Sequence, residues 1–173
     1  GHPLEILQFP ADKGDAKWHQ PGDRLFLGID HAAIVVADTD ASLAFYRDLL
    51  GMKVVGESEN YGDEQEHLNN VFGARLRITT LRAESGPGIE LLEYLSPRDG
   101  RRLPNNARPN DLSRTHVRIA VQNPANLEPG LNAAKRGWIS PGAVTLSRSD
   151  PFNAVSGLSL CDPNGHILHF VAK

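Results

Sequence analysis

A chain of 173 residues is long enough for one compact domain, or for two small modules sharing a core. Its formal charge of -3 arises from interspersed acids and bases with no basic run or stripe, which argues against nucleic acid or an anionic membrane surface as partner. Cys161 is the only cysteine, so no intramolecular disulfide can form and a reducing compartment, the cytoplasm, is expected; no apolar run reaches the roughly 20 residues that span a bilayer.

The chain opens on GHPLEILQF, residues 1–9, which alternates like a strand. Gly1, His2, Leu4 and Glu5 fall on Gly165, His166, Leu168 and His169 of the closing segment GHILHFVAK. The segment therefore reads as the last strand of a preceding, mostly absent copy, with an ordinary N-terminal edge strand as the plainer alternative. Residues 10–27, rich in Pro, Gly and Asp, read as a linker. The folded domain is expected over 28–173, with module one at 29–95, a linker at 96–113 and module two at 114–173.

Module one begins with a near-continuous apolar strand at 29–36, headed by His31 and expected to be buried on both faces. Asp38 or Thr39 can cap the helix that follows; Leu43, Phe45, Tyr46, Leu49 and Leu50 form its apolar face, and Gly51 is placed to end it in the left-handed conformation. A short strand at 52–56 leads into the polar stretch SENYGDEQEHLNNVFG, read as a long loop with one helical turn around 64–71. Alternation at 74–82 and the run GIELLEYL at 88–95 supply two more strands. The order is βαβββ.

The connection PRDGRRLPNNARPNDLSR, with five arginines and three prolines, reads as a solvated link rather than an anion-binding arm. Module two repeats the order: a strand at 116–121 headed by His116, then a helix at about 126–136 whose Pro129 must lie in the first turn and which Gly137 ends. Strands follow at 138–146 and 154–161. Asp162-Pro163-Asn164-Gly165 has the residues of a type I turn, and a last strand occupies 167–171. His31 and Gly51 lie 20 positions apart and His116 and Gly137 lie 21 apart, which supports a duplication.

The duplication turns single residues into a constellation. One histidine in an apolar strand is more often a packed side chain than a ligand. Glu90, set between Ile89 and Leu91, is harder to dismiss, because a carboxylate leaving water needs a cation or donors. His169 holds the matching place between Leu168 and Phe170, and His31 and His116 head the two first strands. Three imidazoles and one carboxylate suit a divalent Zn, Ni, Co, Mn or Fe(II) ion, which could act as a Lewis acid on a substrate with two neighbouring oxygens. Glu90 is also the candidate catalytic base. Cys161 reads as a small buried residue; Tyr61, His67 and Asn69 as loop residues within reach of a pocket; and Tyr94 and Trp138 as packing aromatics.

The βαβββ duplication, the FYRDLLGM helix end, IELLEY, the two strand-heading histidines and the DPNGH turn together resemble the vicinal oxygen chelate superfamily of glyoxalases, extradiol dioxygenases and bleomycin-resistance proteins. The resemblance covers 29–173. It implies an α+β fold in which two βαβββ modules form a curved mixed sheet around a central site, with metal positions at His31, Glu90, His116 and His169. It further implies a lyase, isomerase or dioxygenase acting on a small oxygenated metabolite, or alternatively a metal-free drug-binding protein of the bleomycin-resistance type. His169 stands where most members carry glutamate, and Val35 and Tyr94 stand where glutathione-using members carry arginine and asparagine, which points away from a glutathione hemithioacetal. A homodimer, or pairing with a tandem domain, is expected.

Overall fold

The computed structural model describes residues 2–173 except 102, 105, 134–136, 148, 149 and 152. The described residues form two sheets of the same topology. In module one, β1 (His31–Val36), β2 (Lys53–Tyr61), β3 (Arg75–Arg82) and β4 (Gly88–Ser96) lie in the order β1-β4-β3-β2, with β1 parallel to β4 and the other pairs antiparallel. In module two, β5 (His116–Ala120), β6 (Gly137–Trp138), β7 (Val144–Thr145), β8 (Ser156–Cys161) and β9 (Ile167–Ala172) lie in the order β5-β9-β8-β6, and β7 also pairs with β8. In both, the first strand lies parallel beside the last, a pairing that needs the intervening crossover segment. The fold is α+β, built from two repeated modules.

The first crossover is α1 (Thr39–Leu43), whose cap is Asp38: its carboxylate accepts the Ala41 amide at 2.8 Å. The helix widens into a π-helical segment, Ala44–Leu49, and Gly51 follows at φ +74°, the left-handed conformation expected there. Module two replaces this with a 3₁₀ turn (Pro124–Leu127) and α3 (Glu128–Ala133), with Pro129 in the first turn, where its missing N–H costs nothing. Gly137 opens β6, and the predicted helix end at 134–136 lies outside the described residues.

One hydrophobic core joins the modules. Ile34, Val36, Leu43, Phe45, Tyr46, Ile89 and Leu91 of module one pack in a single cluster with Leu131, Leu158, Leu160, Leu168 and Phe170 of module two. Polar contacts seal it: the buried Tyr46 hydroxyl donates to Asp162 at 2.8 Å, and Asn164 accepts the Ala37 amide at 2.9 Å. The Asp162 turn has its expected backbone bond, Gly165 N–H to Asp162 C=O at 3.1 Å, and the Asp162 carboxylate also accepts from the amides of Asn164 and His166.

The structure corrects several expectations. Strand β1 is buried on one face only, for Ile34 and Val36 enter the core while Ala33 and Val35 are exposed. Apolar character on its second face is thus not spent within one chain. Strand β2 runs on to Tyr61 through residues expected to be loop, because an edge strand exposed almost throughout needs no apolar alternation. Its ladder with β3 is reinforced by Glu59–Arg75 at 2.6 Å and Glu57–Arg77 at 3.4 Å. A full helix, α2 (Asp63–Asn69), follows it. The strand expected over 138–146 is two short pieces, β6 and β7. The alternative of an ordinary N-terminal edge strand is not realised at residues 2–9: Leu4 and Ile6 are exposed, and His2 Nε2 contacts the Leu112 carbonyl at 2.9 Å.

Candidate metal centre

Strand alternation decides where the four candidate ligands point. On β4, Ile89 and Leu91 enter the shared core, so Glu90 between them faces the other way; on β9, Leu168 and Phe170 do the same to His169. His31 and His116 lie on the corresponding faces of β1 and β5, where Ile34 and Val36, and Val117 and Ile119, pack toward the core instead. All four therefore sit on sheet faces turned away from the core that unites the modules. They meet as two pairs.

In module one, His31 Nε2 lies 3.3 Å from Glu90 Oε2. The other atom of each is engaged. His31 Nδ1 is 2.9 Å from Asp30 Oδ2, and Glu90 Oε1 accepts the Thr80 hydroxyl at 2.8 Å. Arg82 holds Asp30 in turn, through both carboxylate oxygens at 2.8 Å and the Asp30 carbonyl at 2.7 Å. Burial pushes the Asp30 carboxyl up, but hydrogen bonds from His31 and Arg82 and the Arg82 charge outweigh it and hold the group below its ordinary value. An ionised carboxylate only accepts, so His31 carries its proton on Nδ1. That leaves Nε2 and Oε2 facing each other as two acceptors, a contact stabilised by a second proton on the ring or by a cation.

In module two, His116 Nδ1 lies 2.8 Å from His169 Nε2. His116 Nε2 donates to the Pro109 carbonyl at 2.7 Å, which again sends the free lone pair inward. His169 Nδ1 is 2.6 Å from the Ser159 hydroxyl, a group that can give or accept. Burial, with the charges of His116 and Arg118 added, lowers the His169 pKa, so the ring is neutral at neutral pH, the form that binds metals. Arg118 is cross-strand neighbour to His169 and lies 3.5 Å from Asp150.

The pairs stay separate within one chain. Among the described residues no three His, Cys, Asp or Glu side chains gather into a cluster that could hold a metal ion. The four candidate residues expected to gather in one place stand instead as two pairs. The secondary candidates are also placed: His67 and Tyr61 are exposed, Tyr94 packs against the small cluster of Ala74, Leu76 and Ile78, and Trp138 donates to Asn132 at 3.0 Å. Burial raises the Cys161 thiol pKa, with Arg114 in space opposing it.

The partners behind the ligands were not singled out from the sequence. Asp30 was visible as the neighbour of His31. Thr80 and Ser159 become recognisable only through register, Thr80 opposite Glu90 and Ser159 opposite His169. Arg82 lies 52 positions from Asp30, and Pro109 belongs to the linker.

No curated protein matches the sequence. Among solved structures, a glyoxalase family protein from Bacillus cereus superposes with a TM-score of 0.72 at 17% identity, covering 87% of this chain and 96% of that one. A glyoxylase/bleomycin resistance protein/dioxygenase domain from Frankia sp. gives 0.57 at 20% identity (84% and 96% covered). The trypanothione-dependent glyoxalase I of Leishmania major gives 0.53 at 18% (84% and 86%). Similarity at these identities speaks to the fold. The family model of the Glyoxalase/Bleomycin resistance protein/Dioxygenase superfamily matches residues 28–170, and the chain belongs to that superfamily.

Proposed function

We propose that the protein is a metal-dependent enzyme of this superfamily, a lyase, isomerase or dioxygenase, acting on a small oxygenated metabolite at a divalent ion held by His31, Glu90, His116 and His169. One observation carries the reading. Each of the four residues has its outer atom bound to a protein group and its inner atom turned toward a second donor, as ligands are secured by partners behind them. The facing acceptors His31 Nε2 and Glu90 Oε2 are what a bound cation would reconcile.

Because both donor pairs lie on faces turned from the shared core, we infer that the centre is completed by a second copy of the chain or by a tandem domain, module one of one unit meeting module two of the other. The exposed Val35 and Ala33 beside His31 provide apolar surface for that pairing. The ion would supply Lewis-acid polarisation of neighbouring substrate oxygens. Glu90, the only carboxylate among the four, is the group suited to move a proton, and the Thr80 hydroxyl bond on Oε1 orients it.

The test is elemental analysis after purification without chelator, with molar mass measured in solution, on the wild type and His116→Ala. Stoichiometric metal in the wild type, its loss in the variant and a mass of two chains are expected for the paired form. Equal metal in both proteins would sink the reading. A protein that binds intact ligand without metal would be the bleomycin-resistance alternative.

A further inference from the structure

We propose that Asp30, clamped by Arg82, is a positioning residue that presets the first half-site by fixing both the ring orientation and the tautomer of His31; the proposal rests on the metal reading above. The geometry is specific. Asp30 Oδ2 stands 2.9 Å from His31 Nδ1. Left alone, an aspartate could swing away or share that contact with water. Here the Arg82 guanidinium grips both carboxylate oxygens and the backbone carbonyl of the same residue. The carboxylate therefore has one orientation available relative to its own main chain.

The frame behind this clamp is itself tied. The Gly88 amide donates to the Asp30 carbonyl at 2.8 Å, joining the residue just before β1 to the start of β4, the strand that carries Glu90. Gly88 also leaves room for the arginine: a Cβ there would sit 3.1 Å from the guanidinium Cζ and 3.0 Å from the Leu81 carbonyl oxygen. The clamp thus fixes the histidine to the strand of its neighbouring ligand. An imidazole held with Nδ1 donating to Asp30 can present only Nε2, and Nε2 is the atom that faces Glu90.

The experiment reads the ring directly. Nitrogen-15 spectra of the His31 imidazole in metal-free full-length protein are compared among the wild type, Asp30→Asn and, acting one residue further back, Arg82→Gln, with cobalt(II) titrations of all three and of His31→Ala. The wild type should show a proton fixed on Nδ1. Asp30→Asn, whose amide can donate as well as accept, should convert the ring to a mixture and weaken cobalt binding by about 10–100-fold, with Arg82→Gln showing a smaller change in the same direction. If both variants keep the wild-type ring signature and bind cobalt within about twofold of wild type, the proposal is overturned. Failure of the metal reading looks different: His31→Ala would then bind cobalt as the wild type does, while the metal-free spectra still decide the role of Asp30.

Discussion

Modules one and two place their donor pairs at equivalent points of the repeat and secure them with different chemistry. Behind His31 stands a charged clamp, Asp30 and Arg82, with side chains 13% and 31% exposed. Behind His116 and His169 stand a linker carbonyl and a serine hydroxyl, both neutral. The duplication preserved what the strand register dictates, the place and face of each donor. The hydroxyls behind Glu90 and His169, Thr80 and Ser159, also sit at matching register positions; the partners of His31 and His116, Asp30 and the Pro109 carbonyl, come from outside the strands and differ. Module one should accordingly hold its histidine rigidly, and module two should depend on how the linker lies.

The core that both modules share carries the largest expected effect. Phe170→Ala empties a fully buried site behind His169 and should cost about 3–5 kcal/mol in urea denaturation. One transition should remain, since Phe170 belongs to a cluster drawn from both modules; two separated transitions would show that the modules fold independently. Next in size, at the proposed metal centre His169→Ala and His31→Ala should each weaken zinc affinity by about 100-fold or more, measured by competition with a chromophoric chelator. Retained affinity in one of them would mean that a single module holds the ion unaided.

Smaller effects sharpen the contrast between the outer partners. Ser159→Ala removes one neutral bond and should weaken zinc by about tenfold, at the mild end of the range expected for Asp30→Asn. The mildest test is pH. Because the folded-state pKa of His169 lies below its ordinary 6.5, the unfolded chain takes up the proton more readily. The stability this contributes is complete above about pH 6.5 and is lost as pH falls through the lower folded value. Melting temperatures of chelator-treated protein should show that decline, and His169→Gln should flatten it.

Where the sequence was legible, the signal was local. The Asp38 cap, Gly51 and the Asp162 turn followed from short patterns that need no distant partner. The edge strand β2 escaped because its residues are held by ladder bonds and cross-strand charges, which leave no apolar period. The N-terminal segment showed the converse: Leu4 and Ile6 alternate correctly, yet in this chain no strand lies beside them.

By itself the sequence determined the α+β duplication, the family resemblance and the identity of four candidate ligands, since alternation alone sends Glu90 and His169 away from their buried neighbours. Only the tertiary structure decided that those ligands stand as two pairs rather than one cluster. The reason is which faces the apolar residues of the two modules bury. Leu168 and Phe170 find Ile34, Phe45 and Leu91 through the helix-bearing faces, and that choice leaves His31 with Glu90 and His116 with His169 on faces turned away from the common core.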